Sequence, residues 1–235
     1  MTAVASHTKQ PTAAPNTDTA LEHLRNADPV MCDLIEQVGP LDLRRRLETS
    51  PKDHFAALVY GIIAQQIPER MALAIIAKLR SRLTDQSITP ASILALEAGE
   101  LHGFGLAPRR EDYVRGLAEA VESGALDLER IAQLPDDQVI VALTTQRGIG
   151  PFTAHQFVLW QLERPDFLPM QDRFLRQAVQ HVYGLPELPS DTDLERIAKA
   201  WRPQRTLAVH YLLRSPQGMG VSTSWPSHPP RHDDI

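Results

Sequence analysis

The chain has 235 residues, 43% of them hydrophobic and 23% charged, with a formal net charge of −5. This composition is typical of a globular protein with a sizeable core, built as one domain or as two lobes around a cleft. The single cysteine, Cys32, excludes an intramolecular disulfide and a four-cysteine iron–sulfur cluster. The longest apolar run, within residues 55–64, is too short to cross a bilayer, and the N-terminus lacks the apolar region of a signal peptide. We therefore expect a cytoplasmic protein without a membrane partner.

Helical periodicity runs through most of the chain, and no run of strands is predicted. Residues 1–17, rich in Thr, Ala and Pro, and residues 216–235, rich in Pro, Ser, His and Gly, are predicted to be disordered tails. Residues 18–215 between them are predicted to form one all-α domain. Its helices are predicted near residues 29–38, 52–66, 69–83, 89–102, 108–123, 127–134, 136–145, 151–163, 172–183, 191–200 and 204–214.

Two adjacent amide side chains end one apolar helical segment. Gln65 and Gln66 follow the residues YGIIA and precede Pro68. Amides at this place either cap the C-terminus of the helix or contact something beyond it. The residues alone leave both interpretations open.

The most informative stretch is 143–160, LTTQRGIGPFTAHQFVLW, which is predicted to form a helix-hairpin-helix. Gly148 and Gly150 allow positive φ and a close approach to a partner, and Pro151 fits the first position of the second helix. The free amides at the start of that helix carry a positive partial charge and can bind a phosphate oxygen. An ordinary αα-hairpin with a glycine turn has the same local pattern.

A single carboxylate, Asp172, stands before the periodic helical segment RFLRQAVQHVY. On these residues alone it is the N-cap of a helix. Because a helix N-terminus also favours the ionised form of a carboxylate, a charged functional role is compatible with capping. Asp166, in the turn RPDFLP, is expected to cap rather than to act chemically.

Several separated motifs together resemble the helix-hairpin-helix DNA glycosylases, and among them the 3-methyladenine DNA glycosylase II group. The resemblance covers about residues 50 to 215. It rests on HFAALVYGIIAQQIPERMALAIIAKL, on GIGPFTA followed by an aspartate 22 residues after its second glycine, on RPDFLP, and on AKAWRPQRTLAVHYLLRS.

The resemblance implies a monofunctional enzyme of base excision repair. Such an enzyme flips alkylated purines, here 3-methyladenine and 7-methylguanine, from duplex DNA and hydrolyses the N-glycosidic bond, with Asp172 as the catalytic aspartate. Members that also cleave the DNA backbone carry a nucleophilic lysine at the position of Phe152, and phenylalanine cannot form a Schiff base.

The implied fold is a compact, all-α, two-lobed helical bundle with the active-site cleft between the lobes. The N-terminal β-rich domain of larger members is expected to be absent, because too few residues precede residue 50. The central lobe is expected at about 51–165, with the helix-hairpin-helix at 136–163. The second lobe combines about 18–50 with 166–215.

The resemblance also assigns site residues. Those implied to contact DNA include Gln66, which would fill the hole left by the flipped nucleotide, and Ile67 beside it as a wedge. The full DNA-binding set is Gly148, Gly150, Phe152, Thr153, Gln65, Gln66, Ile67 and Arg147. No catalytic cofactor is implied, but a structural monovalent cation is implied on the backbone carbonyls of Thr144, Gln146 and Ile149.

The base pocket differs from that of larger members of the family. Larger alkylpurine glycosylases stack the base on aromatic rings, whereas the corresponding positions here are Gln156, Arg173 and Leu213. The sequence therefore predicts a pocket poor in aromatic residues. Trp160 and Trp201, at helical spacing among apolar residues, are predicted to be core.

Two alternatives stay open at this point: a glycosylase for another damaged base, and a non-catalytic helix-hairpin-helix protein that binds DNA. The implied partner is double-stranded DNA containing alkylated bases, bound by a monomer. The net charge of −5 opposes binding to a polyanion, so the local placement of cations matters more than the sum. Three candidate cations follow the glycine turn GFGLAPRR: Arg109, Arg110 and Arg115. Five more are predicted to group around the site: Arg147, Arg173, Arg176, Arg202 and Arg205.

Overall fold

The structure is a computed structural model, which describes residues 17–41 and 53–215. These residues form thirteen helices and no strand, which confirms the predicted all-α fold. The helices are α1 Thr17–Ala27, α2 Pro29–Val38, α3 His54–Ile63, α4 Glu69–Arg82, α5 Pro90–Leu94, α6 Glu100–Gly103, α7 Pro108–Glu122, α8 Leu128–Ala132, α9 Asp136–Thr144, α10 Pro151–Trp160, α11 Arg173–Val182, α12 Asp191–Ala198 and α13 Arg205–Leu213.

Several predicted helix boundaries differ from the structure, and two of the differences change the series of helices. Helix α1 was not predicted, and its first residue, Thr17, was assigned to the N-terminal tail. The single helix predicted over 89–102 is two short helices, because Gly99 takes a φ of +85° and starts α6 anew. Of the predicted tails at 1–17 and 216–235, all residues but Thr17 lie outside the described residues.

The helices pack in two groups. In the first group, α3 lies at the centre and contacts α4, α7, α8 and α10. Every residue of α3 from Phe55 to Ile63 is buried, as expected for a helix that is apolar on all sides. The second group contains α1, α2, α11 and α13. None of the described helices combines the length and apolar character that a bilayer crossing needs.

A buried carboxylate, Asp28, ties three segments of the second group together. Its Oδ1 caps α2 by accepting from the amides of Val30 and Met31 at 3.0 and 3.3 Å. Its Oδ2 accepts from the Tyr183 hydroxyl at 2.5 Å and from Trp201 Nε1 at 3.0 Å. Burial, together with this carboxylate, raises the pKa of Tyr183, so the hydroxyl keeps the proton that it donates.

We expect Asp28→Ala to lower the free energy of unfolding by about 2–4 kcal/mol, because it removes a helix cap and also the acceptor that the Tyr183 hydroxyl and Trp201 Nε1 share. Urea denaturation measures this loss. Asp127→Ala is the matched control, since Asp127 is exposed and its side chain caps only α8, at 2.9 Å from the Arg130 amide. Its expected loss is about 1 kcal/mol. Equal losses in the two variants would show that the buried network adds no stability.

Candidate active site

A cleft of about 760 Å³ opens where the two groups of helices meet. All but one of its lining residues come from the first group, and Phe174 at the start of α11 comes from the second. Its lining includes every residue predicted to contact DNA except Arg147. The lining residues are Gln65, Gln66, Ile67, Pro68, Tyr113, Gly148, Gly150, Phe152, Thr153 and Phe174.

The two hairpin glycines serve different purposes. Gly148 has a φ of +95°, and a Cβ at this position would lie 2.4 Å from Cγ of Tyr113, so only glycine fits. The prediction of a positive φ at Gly150 is wrong, because its φ is −91°. A Cβ on Gly150 would meet no heavy atom within 4 Å. Gly150 therefore leaves open space at the start of α10, where no side chain caps the first amides.

Gln65 joins the α3–α4 loop to the hairpin. Helix α3 ends at Ile63, so Gln65 lies in the loop and not in the helix predicted over 52–66. Its Nε2 donates to the Gly148 carbonyl at 2.8 Å and lies 3.2 Å from Oγ1 of Thr153. Of the two interpretations of Gln65, the contact beyond the helix is the one observed.

Gln66 and Ile67 stand at the tip of the same loop. Gln66 is exposed and has a φ of +56°, in the left-handed region that side chains other than glycine rarely adopt. Ile67 is half-buried and packs against the core. Strained backbone of this kind persists where surrounding contacts hold it. The adjacent Gln65 is anchored to the hairpin by its side-chain bonds to Gly148 and Thr153.

Asp172 is the N-cap of α11, as the sequence predicts. Its Oδ1 accepts from the amides of Phe174 at 2.8 Å and Leu175 at 3.1 Å. The residue is only 5% exposed, and no hydrogen bond within the described residues reaches its Oδ2. Asp172 is not itself a lining residue of the cleft, but it stands two residues before Phe174, which is one, with its Oδ1 fixed by the cap.

The half-buried His155 lies on α10 near this carboxylate, with its ring centroid 5.9 Å from that of Phe167. Burial lowers the pKa of His155, and the negative charge of Asp172 partly offsets that effect. The imidazole is therefore favoured in its neutral form, and it leaves the negative charge of Asp172 uncompensated on this side.

Asp166 is committed to the fold. Its two carboxylate oxygens take Nε and Nη2 of Arg205 at 2.7 and 3.1 Å, and Oδ1 also lies 3.4 Å from the Arg205 amide at the start of α13. The expectation that this acid caps rather than reacts is consistent with these contacts. Asp172, in contrast to Asp166, forms no ion pair with an arginine among the described residues.

None of the three residues predicted for the base pocket lines the cleft. Gln156 is buried and accepts from Nε1 of Trp160 at 2.6 Å, Leu213 is buried on α13, and Arg173 is exposed at the start of α11. Both Trp160 and Trp201 are buried, as predicted. Whether any of the three pocket residues contacts a base stays a prediction.

Aromatic side chains line the cleft, although the positions predicted for the base pocket carry none. Phe152 and Phe174 meet edge to face with centroids 6.3 Å apart, and both are 37% exposed. Each stands at the second position of a helix, after Gly150 and after Asp172. Sequence reasoning missed Phe174, although its place two residues after the cap matches that of Phe152. It also missed Tyr113, which comes from α7 and gives no local signal.

The carbonyls predicted to hold a cation belong to the last residue of α9 and to the turn that follows it before α10. Thr144 is the last residue of α9, and the Gln146 carbonyl accepts from the Ile149 amide at 3.1 Å. No hydrogen bond within the described residues reaches the carbonyls of Thr144 or Ile149. Nowhere in residues 17–41 and 53–215 is a group of three His, Cys, Asp or Glu residues placed to bind a metal ion.

Four of the eight arginines that the sequence offers as candidate cations for DNA form internal ion pairs. Arg115 pairs with Glu111, Arg176 with Asp191, and both Arg202 and Arg205 with Asp166. These side chains stabilise turns and helix ends. The remaining four form no ion pair within residues 17–41 and 53–215: Arg109, Arg110, Arg147 and Arg173.

Residues 59–203, which include the hairpin, all the lining residues of the cleft and Asp172, match the family described as HhH-GPD superfamily base excision DNA repair protein. The chain belongs to this superfamily. The DNA-3-methyladenine glycosylase 1 of Schizosaccharomyces pombe is 27% identical over 195 residues, which are 82% of this chain and 85% of that protein.

Two solved structures share the fold over most of both chains. The 3-methyladenine DNA glycosylase (Mag1) of S. pombe in complex with abasic DNA has a TM-score of 0.70 and 26% identity, covering 83% of this chain and 94% of that one. A DNA-3-methyladenine glycosidase from Bacillus halodurans has a TM-score of 0.70 and 27% identity, covering 90% and 94%.

Proposed function

We propose that the protein is a monofunctional DNA glycosylase that acts as a monomer on duplex DNA and releases alkylated purines, 3-methyladenine and 7-methylguanine. The observation that carries the proposal is Asp172, a nearly buried carboxylate two residues before the cleft-lining Phe174, whose Oδ2 receives no hydrogen bond in the described residues. The relatives named as 3-methyladenine glycosylases support the same substrate class. A cleft of about 760 Å³ is large enough for one purine base.

DNA binding in this proposal uses both loops of the cleft. The uncapped amides at the start of α10 bind a backbone phosphate without reading sequence. The α3–α4 loop then enters the duplex, with Gln66 filling the space of the flipped nucleotide and Ile67 wedging the neighbouring step. Because Gln65 bonds to Gly148, the two loops are held as one unit.

The chemistry requires little acid catalysis. Methylation at a ring nitrogen gives the purine a positive charge, so the base leaves as a neutral molecule. The sugar develops oxocarbenium character as the bond breaks, and the negative charge of Asp172 stabilises that cation. The same carboxylate can orient the attacking water and accept its proton. One carboxylate suffices, in contrast to the pair that glycoside hydrolases use.

Two further elements of the site fit this reaction. Phe152 stands where a lysine would be needed for a Schiff base, so the reaction stops at the abasic site. The carbonyls of Thr144, Gln146 and Ile149 would hold a monovalent cation at the hairpin, since two of them receive no other hydrogen bond in the described residues. That cation would add positive charge next to the bound phosphate and take no part in bond cleavage.

An excision screen tests the proposal. Whole DNA treated with a methylating agent is incubated with the protein, and the free bases released are separated and identified. We expect 3-methyladenine and 7-methylguanine above the level of spontaneous loss. Release of a different modified base alone would identify a glycosylase for other damage, and release of none, with DNA binding intact, would identify a non-catalytic binding protein.

The hairpin contact leads to a prediction on affinity. We expect Gly150→Asp to weaken binding to every duplex sequence about equally, by roughly tenfold or more, because it sets a negative charge against a phosphate. Gly150→Ala is the matched control: at a φ of −91° with open space around it, a methyl group adds no strain. Fluorescence anisotropy with an abasic-analogue duplex measures both variants. Wild-type affinity in Gly150→Asp would mean that the hairpin does not contact DNA.

A further inference from the structure

Two arginines from different segments meet on one aromatic ring at the edge of the cleft. The Cζ atoms of Arg109 and Arg147 each lie 5.5 Å from the ring centroid of Tyr113. Arg109 also donates through Nε to the Tyr113 hydroxyl. The distance between the two Cζ atoms is therefore at most twice 5.5 Å. Helix α7 supplies Arg109 and Tyr113, and the hairpin turn supplies Arg147.

The hairpin backbone holds this cluster in place. The Tyr113 ring packs so closely on Gly148 that a Cβ there would lie 2.4 Å from its Cγ. On its other side, the Gly148 carbonyl accepts from Gln65 at 2.8 Å. Tyr113 is thus a positioning residue, which fixes the distance between α7 and the hairpin and so between the two cations.

Within the described residues nothing neutralises the pair. Arg109 and Arg147 are both exposed, and neither belongs to any ion pair there, whereas Arg115 on the same helix pairs with Glu111. Arg109 also occupies the first turn of α7, where the helix dipole disfavours a cation, and Ala107 offers no side-chain cap. A local arrangement that opposes stability in this way is expected where function requires it.

We propose that Arg109, Tyr113 and Arg147 form a second site for the DNA backbone, separate from the amides of α10. The proposal rests on the proposed function, because it takes duplex DNA as the occupant of the cleft. Arg109 uses Nε on the Tyr113 hydroxyl, but its two terminal nitrogens and the guanidinium of Arg147 donate no hydrogen bond within the described residues, and such N–H groups match a phosphate in bidentate geometry. Consecutive phosphates of one strand rise by about 3.4 Å along the duplex axis, so two cations on one ring reach neighbouring phosphates.

The salt dependence of DNA binding tests this site. Affinity for an abasic-analogue duplex and for the undamaged duplex is measured across a series of salt concentrations. The slope of log affinity against log salt is negative. We expect Arg109→Gln and Arg147→Gln each to reduce its magnitude by about 0.9, and the double variant by about twice as much. The change is expected to be equal on both duplexes, because phosphate contacts do not read the lesion.

Arg130→Gln is the matched control, since Arg130 is an exposed arginine on α8 whose side chain has no ion pair in the described residues. Its slope should equal that of the wild type. A wild-type slope in Arg109→Gln would overturn the second site while leaving the proposed function intact. Failure of the wild type to bind either duplex would instead overturn the proposed function itself.

Replacing single phosphates with uncharged methylphosphonates locates the contact. We expect one or two neighbouring positions at which the substitution weakens wild-type binding but has no effect on Arg109→Gln, the signature of a lost pairwise interaction. These positions should still affect Gly150→Asp. If every position that affects the wild type also affects Arg109→Gln to the same degree, Arg109 contacts no phosphate and the proposal fails.

Discussion

Asp172→Asn is expected to lower the single-turnover rate of base release by roughly 10³-fold or more, while duplex affinity and thermal stability stay close to those of the wild type. The loss follows because asparagine carries no negative charge to stabilise the oxocarbenium ion. The fold is kept because asparagine is as good an N-cap as aspartate and can accept from the amides of Phe174 and Leu175. Base release from a defined 3-methyladenine duplex, with a parallel binding assay, measures both quantities.

Asp166→Asn provides the control for this prediction. The two acids are six positions apart and each contacts the start of a helix, Asp172 that of α11 and Asp166 that of α13, but Asp166 is engaged by Arg205 at 2.7 Å. We expect Asp166→Asn to cost stability and to keep the rate of base release at temperatures where the variant is folded. A rate within tenfold of the wild type in Asp172→Asn would assign the catalytic charge to another residue.

The parts of the site that sequence could predict depend on local signals. Gly148, Pro151 and Asp172 are fixed by the backbone that they require: a left-handed turn, the first position of a helix and a helix cap. Each requirement involves only a few consecutive residues. The order of such signals along the chain was therefore enough to predict the all-α fold and the hairpin.

The parts that sequence could not predict depend on contacts between distant segments. Tyr113 reaches the cleft from α7, and its packing on Gly148 across the two segments leaves no pattern in either one. The same holds for Gln65, whose neighbours along the chain suggest a helix end and not a bond to residue 148. The sign of φ at Gly150 was wrong because the pattern Gly-x-Gly does not tell which glycine makes the turn.

The net charge of −5 is accompanied by a small number of arginines that are free to bind DNA. Arg115, Arg176 and Arg205 look like ligands for DNA in the sequence but satisfy carboxylates of the protein itself. The acidic excess thus coexists with a small cationic edge at Arg109 and Arg147. A protein with few free cations at its binding edge should bind DNA weakly, and its affinity should depend only shallowly on salt, because the slope of log affinity against log salt scales with the number of phosphates neutralised.

The aromatic lining of the cleft leads to the second prediction, an order of substrates. We expect release of 3-methyladenine and 7-methylguanine to exceed release of hypoxanthine and 8-oxoguanine by on the order of 100-fold or more, measured as single-turnover rates on defined duplexes. The cationic bases leave as neutral molecules, whereas the neutral bases need protonation or specific hydrogen bonds. Contact with an aromatic face adds about 0.5–2 kcal/mol in favour of a cation.

Phe174→Leu separates these two sources of selectivity. Leucine keeps the apolar contact but has no aromatic face, so the preference for 3-methyladenine over hypoxanthine should fall by about 2- to 30-fold and remain above unity. Leu188→Ala, a change at an exposed apolar residue outside the cleft lining, should leave the preference unchanged. An unchanged ratio in Phe174→Leu would place the flipped base away from this ring. Release of 8-oxoguanine as fast as 3-methyladenine by the wild type would contradict the alkylpurine assignment and identify a glycosylase for oxidised bases.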